Sequence, residues 1–162
     1  MDTVIKEEKL RDPYNEVPLI VNTFFKRLSD NHVCKPLIKR QCIHATVWKA
    51  NEVGCLRAWY GRDGELVGVL MFDTASEWWT TEPVVVELMV LKIDDSYAGL
   101  QRLAIRELDR IARGYNSRLI ATGNLLSYEN QAVENGYRKH GGYQATTKTF
   151  LKQLKSEADC ND

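Results

Sequence analysis

Long apolar runs are missing from this sequence, and so is any surplus of charge. The longest apolar stretch, Val84 to Leu91, is interrupted by Glu87. It falls well short of the ~18 residues that a membrane-spanning helix needs. Basic and acidic residues balance at 22 each, so nothing global draws the chain to nucleic acid or to an anionic membrane surface; either would need a local patch. The charged stretch Met1 to Arg11 lacks the apolar core of a signal peptide. The four cysteines, Cys34, Cys42, Cys55 and Cys160, show no disulfide-framework spacing. Together these absences predict reduced thiols in a cytoplasm. No internal repeat or low-complexity segment occurs.

What is there is ordinary globular material: 162 residues, 44% hydrophobic and 27% charged, enough for one domain with its own core. The expected organisation is a single domain over residues 1–162, with an N-terminal arm at 1–14 and a frayed polar tail at 156–162. Val17, Ile20, Val21, Phe24, Phe25 and Leu28 recur at helical spacing, with Pro18 expected in the first turn. A second helix is predicted from Pro36 to about Ala50, with Ile38, Cys42 and Ala45 on one side. The period then becomes strand-like. Cys55–Tyr60 and Glu65–Phe72 flank Asp63-Gly64, whose glycine supplies the positive φ of a hairpin turn. Val84 to Leu91 is β-branched and apolar on both faces, as a central strand is. Leu100, Leu103, Ala104, Leu108, Ile111 and Ala112 mark a third helix. Arg118 to Thr122 reads as a short strand, Tyr128 to His140 as a last helix, and Tyr143 to Leu154 as a last strand. The predicted fold class is therefore mixed α/β, in the order ααβββαβαβ.

That order resembles the GCN5-related N-acetyltransferase (GNAT) superfamily over about Val17 to Leu154. The hairpin ending Glu65-Leu66-Val67-Gly68-Val69 is similar to the family's "-G-E-x-V-G-". Asn130-Gln131-Ala132-Val133, then Tyr137, then Gly141-Gly142-Tyr143 is similar to its C-terminal signature, with one extra residue before Tyr143. The resemblance implies that the loop after Val84–Leu91 holds the pyrophosphate of acetyl-CoA, because a helix N-terminus offers unpaired N–H groups and a favourable dipole. Here that loop departs from the family pattern Arg/Gln-x-x-Gly-x-Gly/Ala. Gly99 matches one glycine, Ser96 replaces the Arg or Gln, and Gln101 replaces the second small residue. Asp94 and Asp95 add negative charge nearby. The resemblance implies Glu87 as general base, Tyr137 as general acid, backbone N–H groups near Leu91 as the carbonyl polariser, and Leu91, Ser96, Gly99, Gln101, Arg102 and Asn130 as the acetyl-CoA contacts.

Two functions stay open at this point. One is acetyl transfer from acetyl-CoA to a small-molecule or protein amine. The other is a binding or structural module that keeps the fold and meets a protein partner. The opening Leu19 to Arg27 is similar to "I-x-N-S/T-aromatic-x-K/R" in GNAT-fold proteins of tailed bacteriophages, which would place the module in a host cytoplasm or virion. An enzyme should show an open gap beside Gly99 between the strands holding Glu87 and Leu119; a module should show it filled, by Tyr97 or Gln101. His32-x-Cys34 and Cys42-x-His44 lack zinc-site spacing, so no metal is expected. Arg102, Arg106, Arg110 and Arg113 form a ridge, with Glu107 and Asp109 between them predicting a solvated, ion-paired face. Trp78 and Trp79 are adjacent in a loop, so at least one is expected at the surface, as a substrate lid or protein contact.

Overall fold

The computed structural model describes residues 3–123 and 131–145. Its order is β1 (Ile5–Glu7), α1 (Pro13–Arg27), a short 3-10 turn (Lys35–Leu37), α2 (Arg40–Val53), β2 (Leu56–Tyr60), β3 (Leu66–Ser76), β4 (Pro83–Lys92), α3 (Leu100–Gly114), β5 (Leu119–Ala121) and α4 (Gln131–Gly141). The strands lie in the order β1-β2-β3-β4-β5. All neighbours are antiparallel except β4 and β5, which run parallel and are joined through α3. The mixed α/β class is that observed, and so is the order of the predicted elements as far as the last helix; the strand expected over Tyr143 to Leu154 falls largely outside the described residues. The arm holds an extra edge strand, β1, and Asn130 and residues 146–162 lie outside the described residues.

Two packed layers flank the sheet. On one face, Val17, Ile20, Val21 and Phe24 of α1 and Val47 and Ala50 of α2 cover Ala58, Val69, Met71, Met89 and Leu91. On the other, Leu100, Ala104, Leu108 and Ile111 of α3 cover Trp59, Leu70, Phe72 and Val85. Burying each of the larger of these, the Val, Leu, Ile, Phe and Met side chains, is worth roughly 1.5–3 kcal/mol. Two helix boundaries differ from expectation. The first helix begins at Pro13, so Pro18 sits beyond its first turn. The inner face of α2 is Val47, Ala50 and Asn51 rather than Cys42 and Ala45, which are exposed. The 3-10 turn at Lys35–Leu37 absorbs Pro36 before α2 starts and so resets the helical phase.

Candidate functional site

Among the described residues the pairing of β4 with β5 is short. β4 and β5 pair only through Val84↔Leu119, Val85↔Ile120 and Val86↔Ala121. The next residue of β4 is Glu87. At this point β4 also carries an extra residue relative to β3, because Met71 pairs with Met89 and Phe72 with Glu87. Leu88 is thus bulged out and exposed, and the inside-outside alternation is reset. Glu87 shares the α3 face with its partner Phe72 and is 2% exposed. It is not at a wet edge. Beyond the bulge, Ile93 donates its N–H to Val67 O at 2.8 Å. Antiparallel alternation then turns the Leu91 amide towards β3 and those of Val90 and Lys92 towards the open side.

The loop after β4 is shaped by glycine at two places. Val67 O accepts the N–H groups of both Ile93 and Asp94, folding the chain sharply back towards α3. A Cβ on Gly68 would lie 2.5 Å from Leu100 Cδ2 and 3.0 Å from Leu91 O, so glycine here lets the first residue of α3 pack closely on the sheet. Gly99 precedes α3 with φ of 108° and open space where a Cβ would point. Having no side chain, it cannot cap the helix, and the first-turn N–H groups of α3 are left for an anion.

In front of that helix end lies a cavity of about 500 Å³, within the usual range for small-molecule sites. Val90, Tyr97 and Leu100 form its apolar wall, and Lys92, Arg102 and Lys139 bring positive charge to it. The expected penalty from the two aspartates is relieved. Asp95 pairs with Arg27 of α1, whose hydrogen bond chiefly lowers its pKa. Asp94 accepts hydrogen bonds from both the N–H and the hydroxyl of Ser96, at 2.9 and 2.8 Å. Neither aspartate lines the cavity. The residues therefore fit an anionic thioester cofactor: cations and helix N–H groups at one end, an apolar wall along the middle.

At the other end stands α4. The Tyr137 hydroxyl donates to Glu87 Oε2. Burial first, and then the neighbouring Glu87 carboxylate, push the Tyr137 pKa well up, so the phenol keeps its proton. The Tyr137 ring meets Tyr143 edge to face at 5.3 Å. Tyr143 in turn lies over Gly141, where a Cβ would be 2.4 Å from its ring. Gln101, at the expected small-residue position, reaches across to α4. Its Nε2 donates to Val133 O at 2.8 Å, and its Oε1 occupies the space a Cβ on Gly136 would need.

Of the predicted site residues, Gly99, Gln101, Arg102 and Tyr137 line the cavity, and Glu87 is bonded to Tyr137. Leu91 is buried on the opposite face, and the neighbouring amides that turn away from β3 are those of Val90 and Lys92. Ser96 turns to Asp94; Asn130 lies outside the described residues. Sequence reading missed Lys92, Lys139 and Gly136. The glycine at the centre of an otherwise helical run was the available signal for a close neighbour. Tyr97 and Gln101, the residues expected to fill the gap in a module, line the cavity beside Gly99.

Other expectations resolve elsewhere. His32 Nδ1 accepts the Cys34 N–H at 3.0 Å, and among the described residues no metal-binding cluster forms. Of the arginine ridge, Arg110 is ion-paired, and through a buried partner: Glu107 is 5% exposed and bonds Lys6, Arg57 and Arg110. Burial alone would raise its pKa; the Arg110 and Lys6 hydrogen bonds outweigh that and hold it at about 2. Trp78 and Trp79 are both exposed. No described helix is long and apolar enough to cross a membrane.

This geometry, a sheet splayed at the fourth strand with a helix N-terminus facing the gap, is that of the GNAT acetyltransferase fold. Solved acetyltransferases match this fold over most of the chain. A predicted acetyltransferase from Clostridium acetobutylicum, solved with acetyl-CoA, matches at TM-score 0.64 and 13% identity, covering 95% of this chain and 97% of its own. Ribosomal-protein-alanine N-acetyltransferase from Brucella melitensis biovar Abortus matches at TM-score 0.63 and 14% identity, covering 94% and 98%. Aminoglycoside N-acetyltransferase AAC(6')-Iy, solved with CoA, matches at TM-score 0.60 and 12% identity, covering 96% of each chain. No protein-family model matches the sequence, and no curated protein matches it by sequence.

Proposed function

We propose that this protein transfers the acetyl group of acetyl-CoA to a primary amine. The observation that carries this reading is the cavity with anion-binding groups at the start of α3 and the Glu87–Tyr137 pair at its far side. The solved neighbours that hold acetyl-CoA or CoA support it.

When bound, acetyl-CoA supplies an activated thioester carbonyl. The N–H groups at the start of α3, with Lys92 and Arg102, hold the pyrophosphate. The amides of Val90 and Lys92 face the open side, where they can donate to the carbonyl oxygen as charge develops. Glu87 accepts the proton that the amine loses, and Tyr137, neutral by virtue of its raised pKa, donates one to the departing sulfur. The hydrogen bond between them keeps donor and acceptor in register before reaction.

Mass-spectrometric detection of acetylated product, with acetyl-CoA and a panel of primary amines, tests the reading. Glu87→Gln and Tyr137→Phe should each slow turnover about 100-fold while leaving acetyl-CoA binding near wild type. Turnover undiminished in both variants, or no product with any amine, contradicts it.

A further inference from the structure

Gln101, the second residue of α3, is tied to two helices at once. Leu103 is the first residue of α3 whose N–H is taken up, by Gly99 O at 3.2 Å. The N–H groups of Leu100, Gln101 and Arg102 come before it, among the first-turn donors that an α-helix leaves without an acceptor of its own. The Gln101 side chain, meanwhile, reaches α4 and donates from Nε2 to Val133 O at 2.8 Å. We propose that Gln101 is a positioning residue for acetyl transfer: its side chain, acting through Val133, sets where Tyr137 stands, while its backbone stands at the pyrophosphate of the cofactor. This rests on the acetyl-transfer reading.

Three observations meet here. The first is the place of Val133 in α4, which runs Gln131–Gly141. In a helix each carbonyl accepts the N–H four residues on, so Val133 O belongs to the Tyr137 amide as well. A carbonyl has two lone pairs, and this one joins Gln101 to Tyr137. The second is contact. Gln101 Oε1 fills the space that a Cβ on Gly136 would need, so the amide lies directly against the α4 backbone beside Tyr137. One end of the amide is hydrogen-bonded and the other is packed. The third is how little else fixes this helix. Tyr137 is the one buried side chain among the described residues of α4. The far end of the helix is closed by Gly142, whose φ of 67° lets the Tyr143 N–H turn back to Tyr137 O at 3.3 Å, the longer closure of a Schellman turn. Tyr137 is thus held through Gln101 on one side and Tyr143 on the other, with its hydroxyl delivered to Glu87.

The chemistry makes position matter. A phenol that protonates a departing sulfur must stand within hydrogen-bond reach of it, and a misplacement of about 1 Å can cost up to about 100-fold in rate. The small residue of the family pattern has no side chain with which to reach α4. Gln101 supplies the reach, and Gly136 supplies the room for it.

The test is turnover of the full chain at saturating acetyl-CoA, with acetyl-CoA affinity read separately by calorimetry, for wild type, Gln101→Met, Tyr137→Phe and the double variant. Gln101→Met keeps the length of the side chain and removes its donor. It should lower kcat about tenfold and leave the Kd for acetyl-CoA within about twofold, because the backbone N–H remains. Gln101→Ala, which removes the packing as well, should lose at least as much. In the Tyr137→Phe background Gln101→Met should cause no further loss, since the hydroxyl it positions is gone. An equal loss in both backgrounds, a loss confined to acetyl-CoA affinity, or an unchanged kcat would overturn the proposal and leave the acetyl-transfer reading standing. No product from the wild-type protein with any amine would overturn both.

Discussion

Tyr137 and Glu87, 50 residues apart in sequence, meet through a buried hydrogen bond that ties α4 to the splay point of β4. Because the phenol is the donor, removing either partner has a different consequence. Tyr137→Phe leaves a buried carboxylate short of a donor and should cost about 1–3 kcal/mol of stability. Glu87→Gln keeps an acceptor oxygen for the phenol and should cost less. Chemical denaturation of the two variants at pH 7 checks the order.

The raised Tyr137 pKa also fixes a sign. A tyrosine whose folded pKa exceeds its ordinary value of 10.0 contributes stability that is fully present below pH 10 and is lost as pH rises towards the folded value. Wild-type protein should therefore lose more stability than Tyr137→Phe between pH 10 and pH 11, read from denaturation midpoints.

Glu107 gives the opposite sign. Its pKa falls from 4.5 to about 2, so it contributes on the order of 3 kcal/mol above pH 4.5, lost as pH drops towards 2. Glu107→Gln should flatten the acid limb of the stability curve. Glu107→Ala should cost about 3–5 kcal/mol at pH 7, because it leaves Arg57 buried without its carboxylate.

Gln101 and Gly136 form a size-matched pair across two helices. Gly136→Ala gains about 1 kcal/mol of helix propensity, but displaces Gln101 from Val133 O and forfeits a bond worth about the same. It should be close to neutral alone and stabilising by about 1 kcal/mol in a Gln101→Ala background. A double-mutant cycle on melting temperature reads this non-additivity directly; strict additivity contradicts the pairing.

These cases show which features could be read from the sequence. Periodicity found the helices and the central strand, because Val17 to Leu28 and Val84 to Leu91 each bury a regular pattern. Resemblance aligned Glu87 with Tyr137, and the fold brings them together. Strand β1 was missed because Ile5-Lys6-Glu7 has no apolar period; it is held by pairing with Ala58–Tyr60 and by the Lys6–Glu107 ion pair. The bulge at Leu88 has no local signature, and it lets Glu87 face α3 while Met89 and Leu91 face α1 and α2. The charge at Asp94 and Asp95 looked adverse because the neutralising Arg27 lies 68 residues before Asp95.

The central claim is that the start of α3 holds the pyrophosphate of acetyl-CoA, and calorimetric titration with acetyl-CoA tests it most directly. Wild-type protein should bind with a micromolar Kd, Arg102→Glu should weaken binding about tenfold or more, and Gly99→Glu, placing a carboxylate at the helix entrance, should abolish it. Absence of heat at millimolar acetyl-CoA, or equal affinity in all three proteins, would contradict the account.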